Sequence, residues 1–179
     1  MRIDQATLLS PIGPLAFAVA GGTLLRLDLR GDAARLRRDV EGRFGAVELH
    51  ECEDPGGVAS RLERYFRGDL QALEEVAVDP GGTDFQRDVW LKLREIPAGR
   101  TWSYADLARA VGRPAAVRAV GAANGANPIP LVLPCHRVIG TDGRLTGYGG
   151  GLPRKEWLLH HEGARLVPGP LPPFNSANL

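Results

Sequence analysis

Apolar residues in the first 80 positions come in short runs of strand length, separated by glycines and charged stretches. Residues 15–20 form one such run, and residues 23–29 form another with partial alternation of apolar and polar side chains. Gly21-Gly22 lies between the two runs, and a glycine pair in that position is typical of a β-hairpin. The pattern therefore predicts two antiparallel strands near the start of the chain.

The spacing of apolar residues then changes to that of helices. Asp32 is placed to cap a helix that continues to Phe44, where Gly45 provides the left-handed stop. A second helix is predicted over residues 58–66, and a short strand is predicted over residues 75–78. The first 80 residues are thus expected to form a sheet with helices, and they hold no cluster of catalytic side chains.

The Asp-Pro-Gly-Gly run at residues 79–82 is the best candidate for a domain boundary, because a proline and two glycines interrupt regular structure. We expect an α+β protein with one domain over residues 1–80, a mostly helical domain over residues 81–166 and a proline-rich tail over residues 167–179. Thr83 and Gln86 form a capping-box pattern at the start of the second domain. The apolar positions that follow recur at helical spacing: Phe85, Val89, Leu93 and Ile96.

Two short helices joined by a tight turn are predicted next, which is a helix-turn-helix pattern. Ser103 and Asp106 form a second capping box, and Gly112 ends that helix. Pro114 is expected to start the following helix, which ends near Asn124. Small side chains dominate it: Ala115, Ala116, Ala119, Gly121, Ala122 and Ala123. Such a helix can pack closely in a core or against a phosphate backbone, and the nearby basic residues favour the backbone: Arg109, Arg113 and Arg118.

The net charge of +1 conceals an uneven distribution. Residues 1–80 carry 10 arginines, no lysine and 14 acidic residues, whereas residues 81–179 carry 12 basic and 7 acidic residues. A basic half beside an acidic half indicates that only the basic half offers a surface for binding a polyanion. The chain has no apolar run long enough to span a bilayer and no apolar secretory signal, so we expect a cytoplasmic protein in which Cys52 and Cys135 are free thiols. Two cysteines cannot by themselves build a four-ligand zinc site.

The segment at residues 134–140 carries the most reactive chemistry. Cys135 is followed by an imidazole and a guanidinium, a plausible setting for a thiolate nucleophile. A lone cysteine after an apolar run is also compatible with a small core residue. Residues 147–151 form a glycine-rich loop without the lysine of a phosphate-binding loop, and Pro153 is expected to start a final helix that ends at His161.

Residues 83–163 closely resemble the O6-alkylguanine-DNA alkyltransferase family, the methylated-DNA–protein-cysteine methyltransferases. The resemblance rests on ordered matches at Phe85-Gln86, Val89-Trp90, Thr101-Trp102-Ser103-Tyr104, Leu107-Ala108, Arg118-Ala119-Val120-Gly121, Asn127-Pro128, Pro134-Cys135-His136-Arg137-Val138, Gly147-Tyr148, Gly150-Gly151, Lys155-Glu156-Trp157-Leu158-Leu159 and His161-Glu162-Gly163. Residues 1–80 are more weakly similar to the ribonuclease-H-like N-terminal domain of that family.

The resemblance implies transfer of an alkyl group from guanine O6, or thymine O4, in DNA to a cysteine, once per molecule. Cys135 matches the acceptor, and His136 matches the residue that takes its proton through a water. Glu162 matches the glutamate that orients the imidazole, and Asn127 matches the asparagine that supports the active-site loop. Tyr104 matches the tyrosine that donates to the purine. No cofactor and no metal are implied.

The resemblance also implies that the protein acts as a monomer on duplex DNA, entering the minor groove and flipping the damaged base out of the stack. Arg118 matches the arginine that fills the vacated space. The other residues expected to contact DNA are Ala116, Ala119, Arg113, Ser103, Asn124 and Arg137. The residues expected to surround the flipped base are Tyr148, Gly149, Gly150 and Val138.

Two other functions fit parts of the pattern. A damage-binding protein of the alkyltransferase-like type would share the fold, but such proteins lack the cysteine that this chain has at position 135. A cysteine hydrolase could use Cys135, His136 and Glu162, but it would need an oxyanion hole that nothing in the sequence specifies.

Overall fold

The computed structural model describes residues 1–166, and the proline-rich segment predicted at residues 167–179 lies outside the described residues. The fold is mixed α and β, as the sequence predicts. Two compact units are present: Met1–Gly81 with Pro128–Pro130 forms one, and the other contains Gly82–Asn127 and continues from Leu131. Among residues 1–166, no helix is both long and apolar enough to span a bilayer.

The first unit is built on a four-stranded sheet in the order β3-β2-β1-β4. Its strands are β1 (Arg2–Ser10), β2 (Gly13–Ala20), β3 (Thr23–Asp28) and β4 (Glu48–Glu51). The hairpin predicted around the glycine pair is confirmed, because β2 and β3 pair antiparallel on either side of it. Residues 15–19 of β2 are all buried, which explains why that strand is a continuous apolar run rather than an alternating one.

Two helices complete the first unit. Helix α1 (Ala33–Phe44) has the predicted caps: the Asp32 side chain accepts from Arg35 N, and Gly45 follows with φ 75°. Leu36 and Val40 of α1 pack on one face of the sheet. Helix α2 (Val58–Phe66) has the bounds predicted for it.

The second unit is mostly helical. Its elements are α3 (Asp84–Lys92), β5 (Trp102–Ser103), α4 (Tyr104–Ala110), α5 (Val117–Gly125), β6 (Val138–Ile139) and α6 (Leu152–His161). Both predicted capping boxes are confirmed, at Thr83 with Gln86 and at Ser103 with Asp106. Strands β5 and β6 pair in parallel, so the start of α4 lies beside the residues that follow Cys135.

Helix α5 has two contrasting faces. Val120, Ala123 and Asn124 are buried, and α3 and α4 pack against this helix. The Trp90 indole N–H of α3 donates to Ala123 O over 2.7 Å. The opposite face exposes Arg118 together with small residues, namely Ala119, Ala122 and Gly125. Close packing in the core therefore applies to the inner face, and contact of the outer face with a phosphate backbone stays a prediction.

Several sequence predictions are wrong in detail. Pro114 does not start α5, because residues 113–116 form a turn closed by Ala116 N donating to Arg113 O. The strand predicted at residues 75–78 is reduced to a single bridge between Val78 and Leu24. Strands β1 and β4 are not predicted at all. Their pairing is parallel and joins residues far apart in sequence, and β4 has no fully buried residue that would produce an apolar pattern.

The buried indole offers a test of the α3–α5 packing. Trp90→Phe removes the hydrogen bond to Ala123 O and shrinks a buried side chain, so we expect the free energy of unfolding to fall by about 1–3 kcal/mol. Urea unfolding followed by circular dichroism measures the change. Trp102→Phe, at a partly exposed indole, is the matched control. An equal loss in both variants would contradict the proposed importance of this contact.

Candidate active site and DNA-binding surface

Cys135 begins a tight turn that directly follows Pro134. Residues Cys135–Arg137 form a single 3₁₀ turn. Cys135 N donates to Leu133 O over 2.8 Å, and Leu131 upstream has a positive φ of 72°. A leucine in that region is strained, so the surrounding contacts must hold the backbone there.

Asn127 holds this turn from the end of α5. Its Nδ2 donates to Leu133 O over 2.7 Å, the same carbonyl that accepts from Cys135 N. A hydrogen bond from Asn127 also acts on the thiol and favours its ionised form. One amide side chain therefore fixes both the position of the sulfur and part of its electrostatic environment.

Glu162, at the end of α6, joins the side chains of His136 and Arg137. His136 Nε2 lies 2.8 Å from Glu162 Oε1, while Arg137 donates through Nε and Nη2 to the two carboxylate oxygens, each over 2.9 Å. Arg137 Nη1 also donates to Ile96 O over 2.6 Å. Burial opposes ionisation of Glu162, but His136 and Arg137 outweigh it and hold the pKa of the carboxyl well below its usual range.

This arrangement sets the protonation state of the thiol–imidazole pair. Because an ionised carboxylate can only accept, His136 carries its proton on Nε2. Burial lowers the pKa of the imidazole, and the opposing effect of Glu162 does not overcome it. Burial also raises the pKa of the Cys135 thiol, although Asn127 and Lys155 act against this shift. At neutral pH the pair is therefore a thiol beside a neutral base.

The second nitrogen of the imidazole is available for proton transfer. His136 Nδ1 is buried and has no hydrogen-bond partner among residues 1–166. It belongs to the residue that follows Cys135 in the same 3₁₀ turn. The Nε2–H tautomer leaves Nδ1 with a lone pair, so this atom can accept the thiol proton.

The residues expected to surround a bound base, called the predicted pocket wall below, differ in their exposure. Val138 is fully buried and Gly150 is buried, whereas Gly149 is exposed. The Tyr148 hydroxyl is enclosed and has no partner within the described residues. Burial, reinforced by the charge of Cys135, raises the pKa of Tyr148 well above its usual value. Cys135 itself is 6% exposed.

Tyr104, the first residue of α4, contacts the loop that precedes Tyr148. Its hydroxyl donates to Thr146 O over 3.3 Å. The ring also lies next to α5, since a Cβ at Gly121 would be 3.5 Å from Tyr104 Cδ1. The phenol therefore lies next to α5 and contacts the loop that contains Thr146.

The residues expected to contact DNA divide into an exposed set and an enclosed set. Arg113, Arg118 and Ala119 are exposed, and Ala116 is half-buried at the start of α5. The Ser103 hydroxyl donates to Asp106 Oδ2 over 2.7 Å and accepts from Asp106 N as the cap of α4. A DNA contact by that hydroxyl would compete with the cap.

Comparison with known proteins agrees with this geometry. Residues 84–164 match the family model described as "6-O-methylguanine DNA methyltransferase, DNA binding domain". Curated relatives named methylated-DNA–protein-cysteine methyltransferase include one from Salmonella typhimurium, 44% identical over 170 residues with 93% of this chain and 99% of the relative covered. Another from Mycobacterium tuberculosis is 45% identical over 166 residues, with 91% and 94% covered.

The chain belongs to the methylated-DNA–protein-cysteine methyltransferase family. It is accordingly an enzyme that repairs alkylated DNA by direct reversal. A crystal structure of Mycobacterium tuberculosis O6-methylguanine methyltransferase matches with a TM-score of 0.75 and 42% identity, covering 90% of this chain and 93% of that one. The structure titled as Mycobacterium tuberculosis OGT in complex with DNA matches with a TM-score of 0.73 and 44% identity, covering 91% and 93%.

Two residues expected to contact DNA are enclosed in this methyltransferase. Arg137 is 9% exposed and its guanidinium is bonded to Glu162 and Ile96, so we assign it to holding Glu162 rather than to DNA. Asn124 is 4% exposed on the inner face of α5, so its side chain is not available for a contact with DNA at the surface. In both cases a polar residue in a DNA-binding segment proved to be part of the interior.

Sequence reasoning missed the role of Lys155 in the methyltransferase site. This side chain is fully buried, and its Nζ donates to Val138 O over 2.6 Å and to Thr146 O over 2.8 Å. It thus ties the residues after Cys135 to the loop that Tyr104 contacts. Burial lowers its pKa to about 8, and the nearby Cys135 acts in the opposite direction. The only signal was its place in the Lys155-Glu156-Trp157 match, since an isolated lysine on a helix usually faces solvent.

The buried carboxylate generates a stability prediction. Glu162→Gln leaves the Arg137 charge buried without its ionic partner, so the free energy of unfolding at pH 7 should fall by about 3–5 kcal/mol. The lowered pKa of Glu162 gives a stabilisation that is complete above its unfolded value, about 4.3, and is lost as the pH falls further. Wild type and variant should therefore converge between about pH 5 and pH 2, as measured by urea unfolding.

Glu53→Gln is the matched control, because it removes an exposed carboxylate with no ion pair in the described part of the chain. It should retain the wild-type loss of stability in acid. A constant difference between wild type and Glu162→Gln at every pH would contradict an ionised, partnered Glu162.

Proposed function

We propose that Cys135 is the acceptor to which this enzyme transfers an alkyl group from O6 of guanine in duplex DNA. The observation that carries the proposal is the His136 imidazole, held by Glu162 at Nε2 with Nδ1 buried and unpartnered within residues 1–166, in the same turn as the thiol. A base fixed in this way is what a buried thiol needs in order to attack a saturated carbon.

The first step is activation of the sulfur. The Cys135 proton moves to His136 Nδ1, directly or through a solvent molecule, and the imidazolium is stabilised by the ionised Glu162. Lys155 keeps much of its charge at neutral pH and favours the thiolate, as does the Asn127 hydrogen bond. These groups compensate for the burial that otherwise opposes ionisation of the thiol.

The second step is transfer of the alkyl group. The thiolate attacks the carbon, a sulfur–carbon bond forms, and the bond between that carbon and guanine O6 breaks with its electron pair remaining on the purine. Protonation of the purine makes it a neutral leaving group, and Tyr104 at the edge of the loop is our proposed donor. The thioether has no hydrolytic route back, so each molecule acts once and needs no cofactor.

The exposed face of α5 is our proposed DNA-reading surface. We propose that α4 and α5 form a helix-turn-helix and that the small residues of α5 allow it to approach the minor groove, with Arg118 occupying the space of the flipped base. Arg113, Ala116 and Ala119 would lie along the same strand of DNA, and Ser103 stays a predicted contact. We further propose that the protein acts as a monomer and that its first unit is ribonuclease-H-like.

The predicted pocket wall would enclose the flipped base. We assign Tyr148, Gly149, Gly150 and the Val138 backbone to that pocket. Lys155 holds the carbonyls of Val138 and Thr146 in position through its two hydrogen bonds. Opening of a base pair requires a few kcal/mol, and least for a damaged pair, so contacts inside the pocket have to compensate for it. O4-alkylthymine is a second substrate of the same chemistry.

The two alternative functions are less well supported. A damage-binding protein without chemistry has no use for a thiol beside an oriented base, and the relatives that cover more than nine-tenths of this chain are named as methyltransferases. A hydrolase needs a group that activates water for a second step, whereas His136 is already committed to the thiol and Glu162 to His136 and Arg137.

The position of the acceptor can be tested directly. After incubation with duplex DNA containing O6-methylguanine, mass spectrometry of the intact protein should show one added methyl group per chain, located on the Cys135 peptide. Cys135→Ser should remain unmodified, and Cys52→Ser should react like wild type because that thiol lies in the first unit. A methyl group on Cys52, or product formation in excess of the protein, would contradict the proposal.

The role of Arg118 predicts a difference between substrates. Arg118→Ala should slow repair of duplex O6-methylguanine by about tenfold or more, because a few kcal/mol of stabilisation of the flipped state is lost. Its reaction with free O6-alkylguanine base should change little, because no base pair has to be opened. Single-turnover rates on both substrates measure this, with Arg67→Ala in the first unit as a charge-matched control. Equal losses on both substrates would remove the proposed base-flipping role.

A further inference from the structure

Four arginines of the second unit have no ion pair or hydrogen bond from their side chains to any other described residue: Arg100, Arg113, Arg118 and Arg165. Arg113 and Arg118 lie on the DNA-reading surface. Arg100 and Arg165 lie elsewhere, on two segments that line one groove of about 620 Å³. In contrast, other arginines of this unit are paired, as Arg109 is with Asp106 and Arg144 with Asp142. The groove therefore contains two guanidinium groups without a counter-ion from the described chain.

The backbone on both sides of this groove is fixed. Gly99 has φ 79°, and a Cβ there would lie 2.8 Å from Glu162 O, so the two segments touch where a glycine is required. Arg100 N donates to Pro97 O on one side, and Gly163 N donates to His160 O on the other. The two segments that line the groove are therefore in direct contact, and one of them follows Glu162, the residue that orients His136.

The lining of the groove matches a phosphate group. Arg100 and Arg165 are exposed at its edges, and Thr101 and two glycines complete it. Guanidinium groups bind phosphate oxygens through paired N–H donors, and a threonine hydroxyl adds another donor. Among residues 1–166 no carboxylate lines the groove, so the described lining holds no group that would repel an anion.

The position of the groove indicates which phosphate it would bind. Thr101 is two residues before Ser103, so it lies within about 7 Å of the N-cap of α4, at the edge of the proposed helix-turn-helix. The groove thus lies beside the start of α4, in the same unit as the other two unpaired arginines. Residues 81–179 also carry 12 basic against 7 acidic residues, which favours a polyanion over a small free anion.

We propose that the groove formed by residues 99–101 and 163–165 binds a backbone phosphate of the same DNA molecule, outside the helix-turn-helix. This inference rests on the proposed function, because it adds a contact to the DNA that the enzyme repairs. Such a contact carries no sequence information and instead fixes the register of the protein on the duplex. It also secures the segment that contains Glu162 when DNA is bound.

The salt dependence of DNA binding tests the groove. Fluorescence anisotropy with an undamaged duplex, over a series of salt concentrations, gives the slope of log K against log salt, which changes by about 0.9 per phosphate contact. The double variant Arg100→Gln with Arg165→Gln removes this one contact and should reduce the magnitude of that slope by about 1. Arg30→Gln with Arg38→Gln removes the same charge from exposed positions of the first unit and is the control, with a predicted change near zero.

Two further arms make the result unambiguous. Arg100→Lys with Arg165→Lys keeps the charge and should keep the wild-type slope, and thermal unfolding of each variant checks that the fold is intact. An unchanged slope in the glutamine variant, or an equal change in the control pair, would contradict binding of a phosphate in the groove. Either result would leave wild-type methylation of Cys135 unaffected, whereas failure of the proposed function would appear as absence of that adduct.

Discussion

The Glu162 carboxylate, held between His136 and Arg137, is the interaction on which the rest of the site depends. Three hydrogen bonds to one buried anion join the end of α6 to the turn that contains Cys135. A further bond from Arg137 to Ile96 O extends this network to the segment after α3. A buried ion pair of this kind adds little net stability but is damaging to break. Its value here is the placement of the imidazole, whose Nδ1 is our proposed acceptor for the proton of the neighbouring thiol.

The second unit combines this buried network with an exposed basic face on neighbouring elements. Helix α5 packs its inner face through Ala123 and presents Arg118 on its outer face, and Asn127 at its end holds the carbonyl beside Cys135. Lys155 ties the other side of the turn to the loop in front of it. The residues proposed for DNA contact, for the base pocket and for thiol chemistry therefore lie on a few short elements that are linked to one another.

Local signals in the sequence predicted much of this structure. Capping boxes at Thr83 and Ser103, the glycine pair of the hairpin and the bounds of α2 all depend on neighbouring residues, and all are confirmed. Strand β4 depends on a distant parallel partner and left no readable pattern. Arg137 and Lys155 look like surface cations in sequence, and only their partners in the folded chain reveal them as buried supports. Burial of charge is a property of tertiary structure, so the periodicity of the sequence could not show it.

The tautomer of His136 tests the account most directly. Long-range ¹H–¹⁵N correlation spectra of protein labelled with ¹⁵N-histidine report which ring nitrogen carries the proton, and a His136→Gln variant identifies the signal. The account predicts a neutral ring at pH 7 with the proton on Nε2 and a bare Nδ1. A proton on Nδ1 at that pH, in either the neutral or the charged ring, would contradict it, because the imidazole could then not accept the proton of Cys135.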